Sequence, residues 1–192
     1  MVNLTNEQDI IRLVEKDEWM LQILRHAKSL QLPDWWVCAG FVRSKVWDTL
    51  HGFTERTALA DVDVIFFDPV TADEQEEKLL EQKLKALDPT VPWSVKNEAR
   101  MHLVNGIAPY ESAVDAISKF PETATALGLS LDQNEQVILA APCGVEDLLS
   151  LQVKPTPYFA ANTQRMSVYK QRVVQKNWKS KWHRVEVFYS SN

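Results

Sequence analysis

The stretch Asp61-Val62-Asp63-Val64-Ile65-Phe66-Phe67 is the most strand-like segment of this 192-residue chain. β-Branched and aromatic side chains fill it, and Asp68-Pro69 ends it. Because side chains alternate between the two faces of a strand, the apolar residues 62, 64 and 66 are expected to face the core. Asp61 and Asp63 then lie together on the opposite face. The pattern predicts a buried strand that begins with a pair of carboxylates.

A pair of carboxylates on one strand face predicts a metal site. Two like charges held side by side are costly unless a cation lies between them. Mg²⁺ suits such a pair, because it takes oxygen ligands and is usually held by one or two carboxylates together with substrate phosphates. Asp61 and Asp63 are therefore the predicted metal ligands, for Mg²⁺ or Mn²⁺. An acidic pair without any ligand, on an exposed strand, is the alternative.

The segment upstream of this strand predicts a phosphate site. Residues 35–39 read as a short buried strand, and residues 41–51 as a helix that begins just after Gly40. The backbone amides at such a helix start favour a negatively charged group. Gly40, Arg43 and Ser44 are the predicted nucleotide-binding residues at this junction. For Arg43, contact with a triphosphate and bracing of Asp61 are both compatible with its place in the first helical turn.

Helices and short strands alternate along the rest of the chain, which indicates an α/β or α+β fold with a small mixed sheet flanked by helices. We predict a single domain over residues 1–192, with an N-terminal helical segment at about 5–31 and a basic C-terminal helical segment at about 158–192. Residues 98–104 fit either a strand extension or a helix. Between these, we predict helices at 71–87, 112–119, 145–151 and 162–177, a strand at 93–97, and a hairpin of 127–131 with 136–141.

The charge is distributed unevenly. Residues 1–147 hold 13 Lys and Arg against 25 Asp and Glu, whereas residues 148–192 hold 8 Lys and Arg against the single acid Glu186. A basic segment on an acidic body fits a surface that meets the phosphates of a nucleotide or an RNA. A solvated helix face is the alternative.

Several functional classes are not indicated by the sequence. No stretch approaches the roughly 20 apolar residues that span a bilayer. P-loop, dinucleotide-binding and nucleophile-elbow motifs are absent. Cys38 and Cys143 lie far apart without a CxxC spacing, so a zinc site is not expected and a reduced, cytoplasmic setting is predicted.

The run Ala39-Gly40-Phe41-Val42-Arg43-Ser44, followed by Gly52 and Asp61-Val62-Asp63, resembles the head domain of tRNA nucleotidyltransferases and poly(A) polymerases. Their pattern is Gly-Gly-x-Val-Arg-Asp and then Asp-x-Asp. Over residues 10–185 the chain is also similar to a bacterial nucleotidyltransferase-like family. The resemblance implies the polymerase-β-type nucleotidyltransferase fold, with Asp61 and Asp63 as Mg²⁺ ligands and Gly40 beside the nucleotide phosphates. Ala39 and Ser44 depart from the pattern.

The resemblance also implies a third carboxylate on a neighbouring strand. Glu98, at the end of the strand predicted over 93–97, is the candidate for a third ligand or a base, and a surface pair with Arg100 or Lys96 is its alternative role. Lys96 is a further candidate for nucleotide binding. The predicted function is Mg²⁺-dependent transfer of a nucleotidyl group from a nucleoside triphosphate to an acceptor hydroxyl. The alternative is an inactive module of this fold that binds a nucleotide, an RNA or a protein.

Overall fold

The computed structural model describes residues 4–189. Residues 1–3 and 190–192 of the predicted domain lie outside the described residues. The chain begins with two helices, α1 (Glu7–Glu15) and α2 (Glu18–Ser29). The two helices are separated at Asp17, whose side chain accepts a hydrogen bond from the Met20 amide and caps α2.

Five strands form a mixed sheet, as predicted. They are β1 (Trp36–Cys38), β2 (Val62–Phe66), β3 (Trp93–Asn97), β4 (Gly128–Leu131) and β5 (Val137–Ala140), in the order β3-β2-β1-β4-β5. The β2–β3 pair is parallel, and the other three pairs are antiparallel. A separate parallel pair joins β6 (Gln152–Val153) to β7 (Glu186–Val187).

The remaining helices connect or follow these strands, and none of the helices within residues 4–189 is long and apolar enough to cross a membrane. The undecided segment after β3 is helical, because the Asn97 side chain accepts from the Ala99 amide and starts the helix there. The helices are α3 (Gly40–His51), α4 (Glu74–Leu87), α5 (Glu98–Asn105), α6 (Ala113–Ser118), α7 (Glu146–Leu149), α8 (Pro157–Ala160) and α9 (Thr163–Lys176), with short 3₁₀ helices at Thr123–Thr125 and Trp178–Ser180.

Both faces of the sheet are covered, and β2 shows the predicted alternation. Its residues 62, 64 and 66 are buried in the main core. On the other face Ile65 is buried in a smaller apolar cluster with Cys38 and with Ala113 and Ile117 of α6. Asp63 of β2 and Asp61, just before the strand, therefore lie at the open end of a face that is otherwise packed.

The relative direction of β1 and β2 brings the predicted phosphate site and the predicted metal ligands together. The two strands are antiparallel, with Cys38 opposite Asp63. The end of β1 and the start of β2 therefore lie at the same edge of the sheet. Gly40, which follows β1, and Asp61, which precedes β2, are both at that edge.

The C-terminal segment folds back onto the body at the same edge. The Tyr169 hydroxyl on α9 makes hydrogen bonds to the carbonyls of Val153 and Phe188, at 3.0 and 2.6 Å. The Trp182 indole N–H donates to Asp48 of α3 at 2.8 Å. Both tryptophans of the segment, Trp178 and Trp182, are buried, so their side chains pack against the body of the protein.

Candidate functional site

A cleft of about 220 Å³ opens at the edge shared by β1 and β2. Three parts of the chain line it: residues 39–44 at the turn into α3, residues 58–63 before and within β2, and residues 172–182 of the C-terminal segment. Five of the seven predicted site residues are among them, namely Gly40, Arg43, Ser44, Asp61 and Asp63.

The two aspartates form the acidic side of the cleft. Asp61 is exposed, whereas Asp63 is only partly accessible. Burial raises the pKa of the Asp63 carboxyl, the negative charge of Asp61 raises it further, and Ser94, Lys176 and Arg172 act in the opposite direction. A cation held by both carboxylates would relieve this repulsion, so the donor set fits a hard divalent ion.

No third acid lies level with Asp63 on either neighbouring strand. Its register partner is Cys38 on β1 and Ser94 on β3. Between residues 4 and 189, no three His, Cys, Asp or Glu side chains are grouped closely enough to hold a metal ion. The protein therefore supplies two carboxylates here, and an ion bound to them must complete its shell with water or ligand oxygens.

Glu98 lies toward the other end of β3. Because β2 and β3 are parallel, with Asp63 opposite Ser94, Glu98 follows Ser94 by four residues and is the first residue of α5, just past the end of β3. It does not line the cleft. Its carboxyl is buried, and burial, then Glu77, then Asp63 raise its pKa to about 7. Its role as third ligand or base stays a prediction.

Lys96 also lies outside the cleft lining. Its ammonium is 3.4 Å from the Glu77 carboxylate of α4. Arg100 binds the same carboxylate through two nitrogens, at 3.0 and 2.8 Å. Glu77 is almost fully buried, so these two cations neutralise a buried charge that joins α4 to β3. A nucleotide contact by Lys96 stays a prediction.

The strained backbone at the start of α3 belongs to Ala39 rather than to Gly40. Ala39 has φ +55° and ψ −114°, a conformation that normally requires glycine. Its amide donates to the Leu127 carbonyl at 3.1 Å, which holds the turn in place. No side chain caps α3, because alanine has no acceptor. The helix start therefore faces the cleft with amides available to an anion.

Arg43 has few protein partners for its guanidinium. The group lies 4.9–5.5 Å from the ring centroids of Trp47, Trp178 and Trp182. Its only hydrogen bond to another described residue is a 3.3 Å contact with the Ser44 hydroxyl, and its Nε is buried without a partner. Burial lowers the pKa of Arg43 to about 10. Arg43 makes no ion pair with Asp61 among the described residues, so the bracing role is not observed.

Three further cations line the cleft and were not singled out from the sequence. Arg172 and Lys176 lie one turn apart on α9, and Lys181 follows the 3₁₀ helix. The Arg172 Nε donates to the buried Glu122 carboxylate at 2.7 Å. The basic composition of the C-terminal segment pointed to this region, but no local motif distinguishes these three from the other five basic residues there.

Comparison with known proteins gives a consistent result. A family model described as nucleotidyltransferase matches residues 25–187. An NMR structure described as revealing a CCA-adding enzyme head domain is 39% identical, covers 96% of this chain and 97% of its own, and superposes with a TM-score of 0.86. No protein of curated function matches the sequence significantly.

More distant structures share the fold alone. The CCA-adding enzyme of Thermotoga maritima complexed with tRNA is 11% identical with a TM-score of 0.56, and a CCA-adding enzyme complexed with CTP is 10% identical with a TM-score of 0.57. Each match covers 98% of this chain but only 43% and 44% of the respective enzyme. The chain therefore spans less than half the length of these enzymes.

Proposed function

The chain belongs to a nucleotidyltransferase family, and we propose that it transfers a nucleotidyl group from a nucleoside triphosphate to an acceptor hydroxyl with the help of Mg²⁺. In this reaction the acceptor hydroxyl gives up its proton to solvent, its oxygen forms a bond to the α-phosphorus, and the bond between that phosphorus and the oxygen of the leaving pyrophosphate breaks. The protein contributes mainly by positioning the reactants and stabilising charge.

The main support for this function is that the carboxylate pair and a guanidinium with few hydrogen-bond partners line the same cleft. Asp61 and Asp63 offer oxygen ligands for a metal ion, and Arg43 offers donors with no strong protein partner. A buried charge is costly unless it is paired, and a planar guanidinium matches a phosphate group. A metal-bound phosphate ester satisfies both groups at once.

The metal would supply charge neutralisation of the phosphates and a template for the in-line displacement. Asp61 and Asp63 are the residues that would hold it. Their donor set is hard and oxygen-only. Burial, and then the charge of Asp61, raise the pKa of Asp63, and a bound cation would favour its ionised form. The start of α3 at Gly40 and the Ser44 hydroxyl would add hydrogen-bond donors to the phosphates.

A second candidate function is an inactive module that binds a nucleotide without transferring it. Cys38 and Ser94 occupy the strand positions level with Asp63, so a third carboxylate is lacking where a metal ligand or base would be most direct. The RNA-bound relative named above makes an RNA a reasonable acceptor under the first function and a reasonable ligand under the second. Arg43 and the carboxylate pair would bind the nucleotide under either function.

Label transfer separates the two. The protein is incubated with each α-labelled nucleoside triphosphate, Mg²⁺ or Mn²⁺, and a pool of tRNA, proteins and small alcohols. We expect labelled product with the wild type and with Asp68→Asn, a matched control at the other end of β2, and none with Asp63→Asn.

Binding is measured on the same variants by thermal shift. Metal-dependent stabilisation by a nucleoside triphosphate, lost in Asp63→Asn but without product from any acceptor, supports the binding module. Absence of both product and metal-dependent stabilisation contradicts both functions.

A further inference from the structure

We propose that the C-terminal segment 172–182 forms a phosphate-binding wall of the cleft, in which Lys176 and Lys181 bind the β- and γ-phosphates of a nucleoside triphosphate. This inference rests on the proposed function, since it names the part of the protein that holds the pyrophosphate leaving group. The carboxylate pair and the wall line the same cleft, so a triphosphate can meet both.

The placement of Lys176 follows from the packing of α9. Residues four apart in a helix share a face, so Lys176 lies above Arg172. Tyr169 and Val173 are buried and attach the helix to the body. Arg172 is held by its hydrogen bond to Glu122, which does not line the cleft. This bond and the two buried side chains fix which side of α9 faces the cleft.

Lys181 reaches the cleft because the chain reverses after α9. Asn177 adopts the left-handed conformation, with φ 41° and ψ 47°, and ends the helix. The following 3₁₀ helix buries Trp178, and Trp182 lies buried just after Lys181. Both indoles pack edge-on against Trp47, with ring centroids 6.0 and 5.2 Å away. The two buried tryptophans therefore fix the position of the backbone at Lys181.

The charges that line the cleft favour a polyanion. They comprise four cations and two carboxylates, but Arg172 is paired with the buried Glu122, so three cations against two carboxylates leave an excess of one positive charge in a chain whose formal net charge is −5. Neither Lys176 nor Lys181 forms a salt bridge with an acid within the described part of the chain, so both ammonium groups are available. One divalent ion on the carboxylate pair would raise the excess to three, which offsets most of the charge of a fully ionised triphosphate ester.

The other five basic residues of residues 148–192 have different contacts. Lys154 pairs with Asp147 at 2.8 Å, Arg165 donates to the Tyr158 carbonyl at 2.8 Å, and Arg184 donates to the Leu50 carbonyl at 2.8 Å. Lys170 and Lys179 are exposed but do not line the cleft. The segment thus contains matched controls: Lys170 on the same helix as Lys176, and Lys179 two residues before Lys181.

The test uses inorganic triphosphate as the probe, in EDTA at low ionic strength, with binding measured by calorimetry on the full chain. We expect Lys176→Ala and Lys181→Ala each to weaken binding about fivefold, because each removes a unit charge close to the polyanion. Lys170→Ala and Lys179→Ala should stay within about twofold of the wild type, since their charges are more distant and screened. Lys176→Arg and Lys181→Arg should retain binding.

Asp63→Asn separates this inference from the proposed function. In the absence of metal it should strengthen triphosphate binding, because a repelling charge is removed, while it abolishes label transfer in Mg²⁺. Wild-type affinity in Lys176→Ala and Lys181→Ala overturns the wall, as does equal weakening in all four alanine variants. Weakening confined to Lys176→Ala and Lys181→Ala, with no label transfer by the wild-type protein in Mg²⁺, supports the wall and overturns the transfer chemistry.

Discussion

Asp63 on β2 stands directly opposite Ser94 on β3 in the parallel pairing of the two strands. The two side chains therefore point to the same face of the sheet, at the edge where the cleft opens. A hydroxyl thus occupies the position where an acid would complete a three-carboxylate metal site. This relationship explains why the structure gathers two acids rather than three.

Ser94→Asp should create the missing third ligand. Adding a carboxylate beside Asp63 increases repulsion, so in EDTA we expect the free energy of unfolding to fall by about 1–2 kcal/mol. With Mn²⁺, the third oxygen ligand should tighten binding by about tenfold, which corresponds to about 1.4 kcal/mol. Titration with Mn²⁺ monitored by electron paramagnetic resonance measures the affinity. Ser94→Asn is the control, and equal Mn²⁺ affinity in the two variants would argue against the geometry.

Ala39→Gly should stabilise the protein. Ala39 has a positive φ that costs a non-glycine residue about 1–3 kcal/mol, whereas glycine adopts it freely at a smaller entropic cost. We expect a net gain of about 1 kcal/mol in urea unfolding, and a loss of several kcal/mol for Ala39→Val, because a branched side chain fits this conformation least well. A loss of stability in Ala39→Gly would sink the assignment of strain to this turn.

Arg43→Met should raise stability and lower ligand affinity together. Methionine is similar in length and fills the space among the three indoles without burying a charge. Because burial lowers the pKa of Arg43 to about 10, removing the charge should raise the free energy of unfolding by about 1–2 kcal/mol. Binding of a nucleoside triphosphate should fall by about tenfold or more, as expected for a lost charge-assisted bond. Chemical denaturation and calorimetry give the two quantities, and unchanged triphosphate affinity would contradict the role assigned to Arg43.

Glu98→Gln should change the pH dependence of stability. The pKa of Glu98 is raised in the folded state to about 7, so the folded protein holds a proton that the unfolded chain releases above about pH 4.5. Stability is therefore lost as the pH rises from about 4.5 to 7. The substitution should raise the free energy of unfolding by about 2–3 kcal/mol at pH 8 and by little at pH 4.5.

Urea unfolding of Glu98→Gln and the wild type at several pH values tests this prediction. Glu76→Gln, at a partly exposed position on α4, is the control and should leave the pH dependence unchanged. The same data bear on catalysis, since a carboxyl that titrates near neutral pH has the proton affinity suited to a general base. A parallel gain at all pH values would exclude the raised pKa.

Asp48→Ala should loosen the C-terminal segment. The buried Asp48 carboxylate accepts from the Trp182 indole at 2.8 Å and from the amide and hydroxyl of Thr57 at 2.8 and 2.7 Å. Its removal leaves these donors unpaired, so we expect a loss of about 2–4 kcal/mol and faster proteolysis of residues 178–189. Thr49→Val is the control, because the Thr49 hydroxyl bonds only within its own helix. Unchanged proteolysis of that segment in Asp48→Ala would contradict the role of Asp48 in holding Trp182.

Local sequence was sufficient for most of the elements and for half of the cleft, although it left residues 98–104 undecided and did not predict β6 or β7, the latter lying within the segment predicted to be helical. The alternation in β2 requires only that apolar side chains on one face become buried, and the helix starts at Asp17 and Asn97 are set by side chains that cap their own backbone. The acidic pair on β2 and the glycine junction at Gly40 follow from spacing along single elements. Each of these depends on residues that are near neighbours in the chain, so the sequence determines them.

The tertiary structure alone decided which of these features meet. The direction and register of β3 relative to β2 depend on the burial of side chains that are far apart in the chain. This pairing places Ser94 beside Asp63, and it places Glu98 beyond the opposite end of β2. The three indoles around Arg43 come from α3 and from a segment more than 130 residues later. The same long-range packing places Lys176 and Lys181, out of eight similar basic residues, against the cleft. A local sequence pattern cannot predict this, because it contains no information about which residues lie across the cleft from one another.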